Sequence, residues 1–172
     1  MSLVEVLVAL LVLSVGMLGV AVLFVQSVRG SRTALLRTQA VNLVSDMSDR
    51  IRANATAAGA YDTTDFDGSG AGNNCAPEPS GDEGRNCTPE NLAKYDLAKW
   101  TEAVKALPGA DANPPTIQYF PGDGVVTPDR YRITVTWHEA NQTQAEQAGE
   151  TLTYHSDVVL MRRLPVVAGV AP

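Results

Sequence analysis

The chain opens with the stretch MSLVEVLVALLVLSVGMLGVAVLFVQSV, residues 1–28. From Leu3 to Val25 this stretch is almost wholly aliphatic, and Glu5 is its one ionisable side chain before Arg29. Roughly 20 apolar residues are enough to cross the hydrocarbon core of a bilayer as a helix. The stretch therefore predicts a transmembrane helix.

The carboxylate of Glu5 is unusual in such a helix. An ionisable group inside a membrane segment is costly and rare, and it indicates a function that involves a partner. A secretory signal peptide is the alternative explanation for the apolar stretch. A signal peptide would carry basic residues ahead of the apolar run and a small-residue cleavage site after it, and the first basic residue here is Arg29. This order of residues favours the transmembrane helix.

The first ten residues, MSLVEVLVAL, resemble the mature N-terminus of type IV pilins and type II secretion pseudopilins. In that family a prepilin peptidase cuts after a glycine and methylates the new first residue, which is usually Phe or Met, and the fifth residue is a glutamate. The resemblance implies that Met1 is the processed and methylated residue and that Glu5 is the assembly glutamate. The following run LVALLVLSVGMLG, residues 7–19, is most similar to minor pilins of the PilV type.

The resemblance implies an α+β fold, the type IV pilin fold, with a long N-terminal helix packed on an antiparallel β-sheet head. Residues 1–28 would form the transmembrane and assembly half of this helix. Residues 29–172 would form a periplasmic head that includes the amphipathic half. The implied function is that of a minor pilin, inserted in the inner membrane and taking part in pilus initiation and assembly, then carried to the cell surface. The implied partners are other minor pilins, the major pilin and, as a further candidate, a tip adhesin.

Composition limits the remaining possibilities. The 172 residues allow one membrane helix and one modest domain, and the net charge of −6 argues against a nucleic-acid partner, because phosphate binding needs clustered cations. A short basic run, Arg29, Arg32 and Arg37, follows the apolar stretch. Basic residues beside a membrane span usually remain cytoplasmic, whereas the resemblance places them on the periplasmic side. We follow the resemblance on this point.

The first helix is expected to continue past the membrane. A stripe of apolar residues recurs at steps of three and four, which is the period of a helix, and intervening charged residues give it a polar outer face. We expect one helix from Met1 to about Asn54, with Gly59 beyond its end. The stripe consists of Leu36, Ala40, Leu43, Met47 and Ile51.

A loop rich in Gly, Asn and Pro follows. Its acids Asp62, Asp65 and Asp67 could supply oxygen ligands for Ca²⁺, although they lack EF-hand spacing, and a solvated loop is the alternative. Cys75 and Cys87 are the only two cysteines. In an oxidising compartment we expect them to form a disulfide.

A second helix and three strands follow this loop. Thr88-Pro89-Glu90 is a typical helix start, since Thr is a good N-cap and Pro suits the first turn. Pro108-Gly109 is expected to stop the helix, and its apolar positions are Leu97, Trp100, Val104 and Leu107. Alternation and β-rich composition predict strands at 116–120, 130–137 and 151–161.

The sequence contains no persuasive catalytic, metal or cofactor motif. His138 and His155 lie in predicted strands without metal-ligand spacing, so we expect a protein that is not an enzyme and carries no cofactor. Two alternatives to a minor pilin remain. One is a minor pseudopilin of type II secretion, and the other is a membrane-anchored periplasmic binding module that never polymerises.

Overall fold

The computed structural model describes residues 2–66, 68, 75, 87–123, 126–139 and 150–160. Its elements follow in the order helix α1 (Leu3–Ala53), a 3-10 helix (Ala55–Tyr61), helix α2 (Pro89–Val104), and strands β1 (Thr116–Phe120), β2 (Asp129–Glu139) and β3 (Glu150–Leu160). A long N-terminal helix on an antiparallel sheet is the predicted α+β fold.

Helix α1 runs without interruption for 51 residues, which confirms the prediction of a single helix through the apolar and amphipathic stretches. At its C-terminal end the backbone N–H of Asn54 donates to the carbonyl of Arg50. Arg50 and Arg52 lie in the last turn, where cations interact favourably with the helix dipole. Ala58, with φ of 46°, then breaks the 3-10 helix into two parts.

Helix α2 begins where the sequence predicts. Thr88 is the N-cap, and its hydroxyl accepts a hydrogen bond from the backbone N–H of Asn91 at 3.2 Å. Pro89 occupies the first turn, where its missing N–H costs nothing. The helix ends at Val104, and Leu107 of the following turn is also buried.

The sheet has the strand order β1-β2-β3, and both pairings are antiparallel. Strand β2 is the central strand and pairs with Thr116–Phe120 on one side and with Glu150–Leu160 on the other. Its predicted alternation is confirmed, and the strand extends to Glu139, two residues further than predicted. The buried face consists of Asp129, Tyr131, Ile133, Val135, Trp137 and Glu139.

The core lies between this face of the sheet, helix α2 and the second half of α1. Met47 and Ile51 of α1 are fully buried there, beside Trp100 of α2 and Ile133 of β2. The indole N–H of Trp100 also donates to the backbone carbonyl of Leu43 at 2.9 Å. These contacts unite the second half of α1, α2 and the sheet in one core, and we call this unit the head.

Candidate functional site

The first half of α1 takes no part in this core. Every residue from 3 to 32 is exposed, and the first buried residue of the helix is Ala40. Met17, for example, is 64% exposed, whereas Met47 on the same helix is 0% exposed. Among the described elements, α1 is the one helix long and apolar enough to cross a membrane. An apolar surface of this length requires lipid or another protein to cover it.

Glu5 lies in the first turn of α1, on this exposed surface. Its backbone N–H donates to the carbonyl of Ser2 at 3.0 Å, and the Ser2 side chain makes no capping bond. The Glu5 carboxylate has no hydrogen-bond or ion-pair partner in the part of the chain that the structure describes. Met1, the other residue of the predicted assembly site, lies outside that part. The structure therefore gives Glu5 no role in holding the head together.

An ion pair marks the boundary between the exposed half of α1 and the head. Arg37 donates two hydrogen bonds to Glu139, from Nε to Oε1 at 3.0 Å and from Nη2 to Oε2 at 3.1 Å. The indole N–H of Trp137 donates to the same Oε1 at 3.1 Å. The Arg37 hydrogen bond lowers the pKa of Glu139, and with the Trp137 bond it outweighs the burial that would raise it. This pair ties α1 to the end of β2 just before the first buried residue of the helix.

Asp62 holds two backbone segments together. Its carboxylate accepts hydrogen bonds from the backbone N–H groups of Thr64 and Tyr119, both at 2.7 Å. Burial would raise the pKa of Asp62, but these bonds outweigh it and lower the pKa. Asp67, the third candidate calcium ligand, lies outside the described residues. Within the described ranges, no three His, Cys, Asp or Glu side chains are grouped to hold a metal.

The two cysteines are joined as predicted. The disulfide links Cys75 to Cys87 with a Cα–Cα distance of 5.1 Å. Cys87 directly precedes Thr88, the N-cap of α2. The cross-link therefore fixes the start of α2, while residues 76–86 lie outside the described part.

Residues 22–98 match the family model described as Tt1218-like, type IV pilin Tt1218. This match, which covers less than half of the chain, supports a relationship to the type IV pilin family. The matched region contains the later part of α1, the 3-10 helix and most of α2. No curated protein and no solved structure matches the chain. Type IV pilins are structural, non-enzymatic proteins that interact with other pilus components, so the match supports a structural role for this chain.

The two histidines of this chain differ in their surroundings. His138 Nδ1 lies 2.9 Å from the hydroxyl of Thr151, and the backbone N–H of His138 donates to the carbonyl of Pro108 at 2.7 Å. Gly109 adopts φ of 76°, and a Cβ there would overlap Cδ2 of the His138 ring. The Leu-Pro-Gly turn after α2 is therefore packed directly on β2. His155 is exposed on the outer face of β3.

A polar network inside the head was missed by the sequence analysis. Asp96 of α2 accepts hydrogen bonds from Arg50 Nη1 at 2.8 Å and from the Tyr61 hydroxyl at 2.7 Å. Asn54 donates to the same hydroxyl at 3.2 Å. Burial raises the pKa of Tyr61, and the hydrogen bond to Asp96 raises it further. A signal was present in the sequence, because Asp96 lies four residues before Trp100 and so falls on the apolar side of α2.

Proposed function

We propose that this pilin is a minor pilin of the PilV type. In this proposal residues 1–28 anchor it in the inner membrane, residues 29–172 form a periplasmic head, and the protein acts in pilus initiation and assembly. Its partners would be other minor pilins and the major pilin, which it would meet through the exposed half of α1, with a tip adhesin as a further candidate. After assembly it would lie in the pilus at the cell surface.

The division of α1 is the observation that carries this proposal. One regular helix has one face buried from Ala40 to Ile51 and is exposed throughout residues 3–32. A non-polymerising anchor would need only an apolar segment, whereas this segment also contains Glu5. A carboxylate at this position costs free energy in lipid. A partner must therefore supply the compensation.

The compensating partner that we propose is the methylated amino group at Met1 of a neighbouring subunit. Within a water-excluded bundle of helices, a carboxylate and an ammonium group attract each other strongly, and either one alone is heavily penalised. The pair would therefore favour the axial register in which both groups meet and disfavour subunits docked one turn away. The positive end of the α1 dipole adds a weaker attraction for the same acid.

Glu5→Ala tests this role. Because its carboxylate has no partner in the described structure, we expect the head to remain folded and the protein to remain in the membrane. Recruitment into sheared filaments and into complexes with sister minor pilins should fall by roughly tenfold or more, the usual result of breaking a buried charge pair. Glu5→Asp, with its shorter side chain, should give an intermediate level. The measurement is co-purification with filaments at matched membrane levels.

Glu102→Ala is the matched control. Glu102 is an exposed acid on α2, with only a long 3.7 Å ion pair to Lys99, and its loss should leave recruitment unchanged. If the Glu5→Ala variant enters filaments as well as the wild type, the assembly role of Glu5 is wrong. If the wild type joins a type II secretion complex and not a pilus, the pseudopilin alternative is correct instead.

A further inference from the structure

Two arginines in the segment between the apolar stretch and the head lack a partner. Arg29 and Arg32 are exposed, and neither has an ion pair to any residue in the described part of the chain. The nearest acids along the chain are Glu5 and Asp46, too far for a pair within α1. Arg37, by contrast, is held by Glu139. The basic run therefore consists of one arginine that is paired with Glu139 and two arginines that have no ion pair in the described part of the chain.

The axial position of these two arginines is set by the regular helix. Arg29 lies 24 residues after Glu5, or about 36 Å at the rise of an α-helix. The hydrocarbon core of a bilayer is about 30 Å thick, and headgroups add roughly 5–8 Å on each side. With Glu5 near one face of the core, the Cα atom of Arg29 falls in the opposite headgroup layer. The Cα atom of Arg32 lies about 4–5 Å further out, close enough for its long side chain to reach back into the layer. Arg37, about 12 Å beyond Arg29, falls outside it.

Their position around the helix is equally defined. Leu36 is the first stripe residue that packs against the core of the head. Arg32 and Arg29 precede it by four and seven residues, which places them on the same side of a helix. The side of α1 that carries the head therefore continues as a basic side. This arrangement points both guanidinium groups at the space between the head and the membrane surface.

We propose that Arg29 and Arg32 together bind the phosphate groups of anionic phospholipids in the leaflet from which the head emerges. A guanidinium group matches phosphate oxygens with two parallel hydrogen bonds, and its long aliphatic stem can lie along apolar surface. The inference rests on the membrane anchoring given under Proposed function.

The test is native mass spectrometry of the full chain, released from neutral detergent containing equal amounts of phosphatidylglycerol and phosphatidylcholine. The wild type should retain phosphatidylglycerol preferentially. Each arginine should account for roughly a fivefold preference, the usual effect of one basic residue at an anionic surface. The double variant Arg29→Gln/Arg32→Gln should therefore show little preference. The control, Arg52→Gln/Lys105→Gln, removes the same charge from exposed sites on the head and should behave as the wild type.

Two outcomes would overturn the proposal. One is that the control loses as much of the lipid preference as the double variant. The other is that the double variant keeps its lipid preference, either alone or together with a loss of binding to a sister pilin. That combination would assign the arginines to an acidic protein surface. Flotation with pure phosphatidylcholine vesicles separates this inference from the proposed function. If the wild type fails to float, the membrane anchor itself is wrong. If all variants float but none distinguishes the two lipids, only the role of the arginines is wrong.

Discussion

The two halves of α1 have the same backbone and opposite surroundings. Val22 is 58% exposed in the first half, whereas Val44 is 1% exposed in the second. The first half is apolar on all sides, and the second half alternates apolar positions with charged ones such as Asp46 and Arg50. Only the second pattern gives the helix one apolar face that can pack on a core and an opposite polar face that can remain in water. A uniformly apolar helix has no single apolar face of this kind and requires a surround of lipid or other helices.

The difference shows that hydrophobicity and contribution to the core are separate properties. The longest apolar stretch of the chain contributes nothing to the core of the head, and the core relies on a sparser stripe. Matched substitutions in the two halves test this separation directly. The full chain in detergent micelles serves for all of them, and the buried tryptophans Trp100 and Trp137 report unfolding of the head.

The largest difference is expected between the methionines of the two halves. Met47→Ala removes a fully buried side chain and should lower the free energy of unfolding by roughly 2–4 kcal/mol, the range for buried truncations. Met17→Ala removes a side chain that is 64% exposed in the chain. It should change the unfolding of the head by less than about 0.5 kcal/mol. Urea titration followed by tryptophan fluorescence measures both variants.

Equal destabilisation by the two methionine variants would break the comparison, since it would mean that the first half of α1 packs on the head. A negligible effect of Met47→Ala would mean instead that the stripe is not buried in solution.

A second difference is expected between two glycines. Gly109→Ala forces an alanine into positive φ and against the His138 ring, which together should cost roughly 2–4 kcal/mol. Gly16→Ala meets no heavy atom within 4 Å and should leave the unfolding of the head unchanged. The same urea titration measures both changes.

The His138→Ala background separates the two costs at Gly109. With the ring removed, Gly109→Ala should cost only the strain of its backbone, on the order of 1–3 kcal/mol. If the penalty is the same with and without the ring, the turn does not pack on β2 as the structure shows.

The smallest difference concerns the ion pair at the boundary of the two halves. Glu139→Gln can keep the Trp137 hydrogen bond but removes the charge that faces Arg37. It should lower the free energy of unfolding by about 1–2 kcal/mol at pH 7, a value between those of exposed and buried ion pairs.

The effect of this substitution should depend on pH. Because the pKa of Glu139 is lowered in the folded state, the carboxylate stabilises the fold fully above the ordinary glutamate pKa. This stabilisation is lost as the pH falls through the pKa of the folded state. The difference in Tm between wild type and variant should therefore shrink from pH 7 to pH 3. Glu102→Gln, at an exposed site, should show no difference at any pH. A gap as large at pH 3 as at pH 7 would contradict the ionic role of Glu139.

Much of the fold was predictable because its signals are local. The length of α1 followed from the apolar stretch and the stripe, the start of α2 from Thr88-Pro89, and the faces of β2 from strict alternation. The same alternation, continued to Glu139, places this acid on the buried face, where a carboxylate needs a cation. The exposure of residues 3–32 was also predictable, because their composition suits no core in water.

Contacts between distant residues were not predictable. Val44 and Ser48 join the buried face of α1 because α2 and the sheet both pack on the helix, and Ser48 satisfies its hydroxyl on the Val44 carbonyl at 2.7 Å. The use of Asp62 to hold β1 depends on Tyr119, 57 residues away. The sequence analysis identified Gly109 only as a helix stop, because its contact with His138 exists only after β2 is in place.

The attachment of the head to the side of α1 has a mechanical consequence. The buried contacts from Ala40 to Ile51 extend about 17 Å along the axis of the helix. A force pulling along α1 would load all of them in shear at the same moment, together with the Trp100 bond to the Leu43 carbonyl. A force perpendicular to the axis would peel them apart one after another, at much lower strength. Axial tension would pass through the backbone of one uninterrupted helix, and the disulfide between Cys75 and Cys87 lies outside that load path.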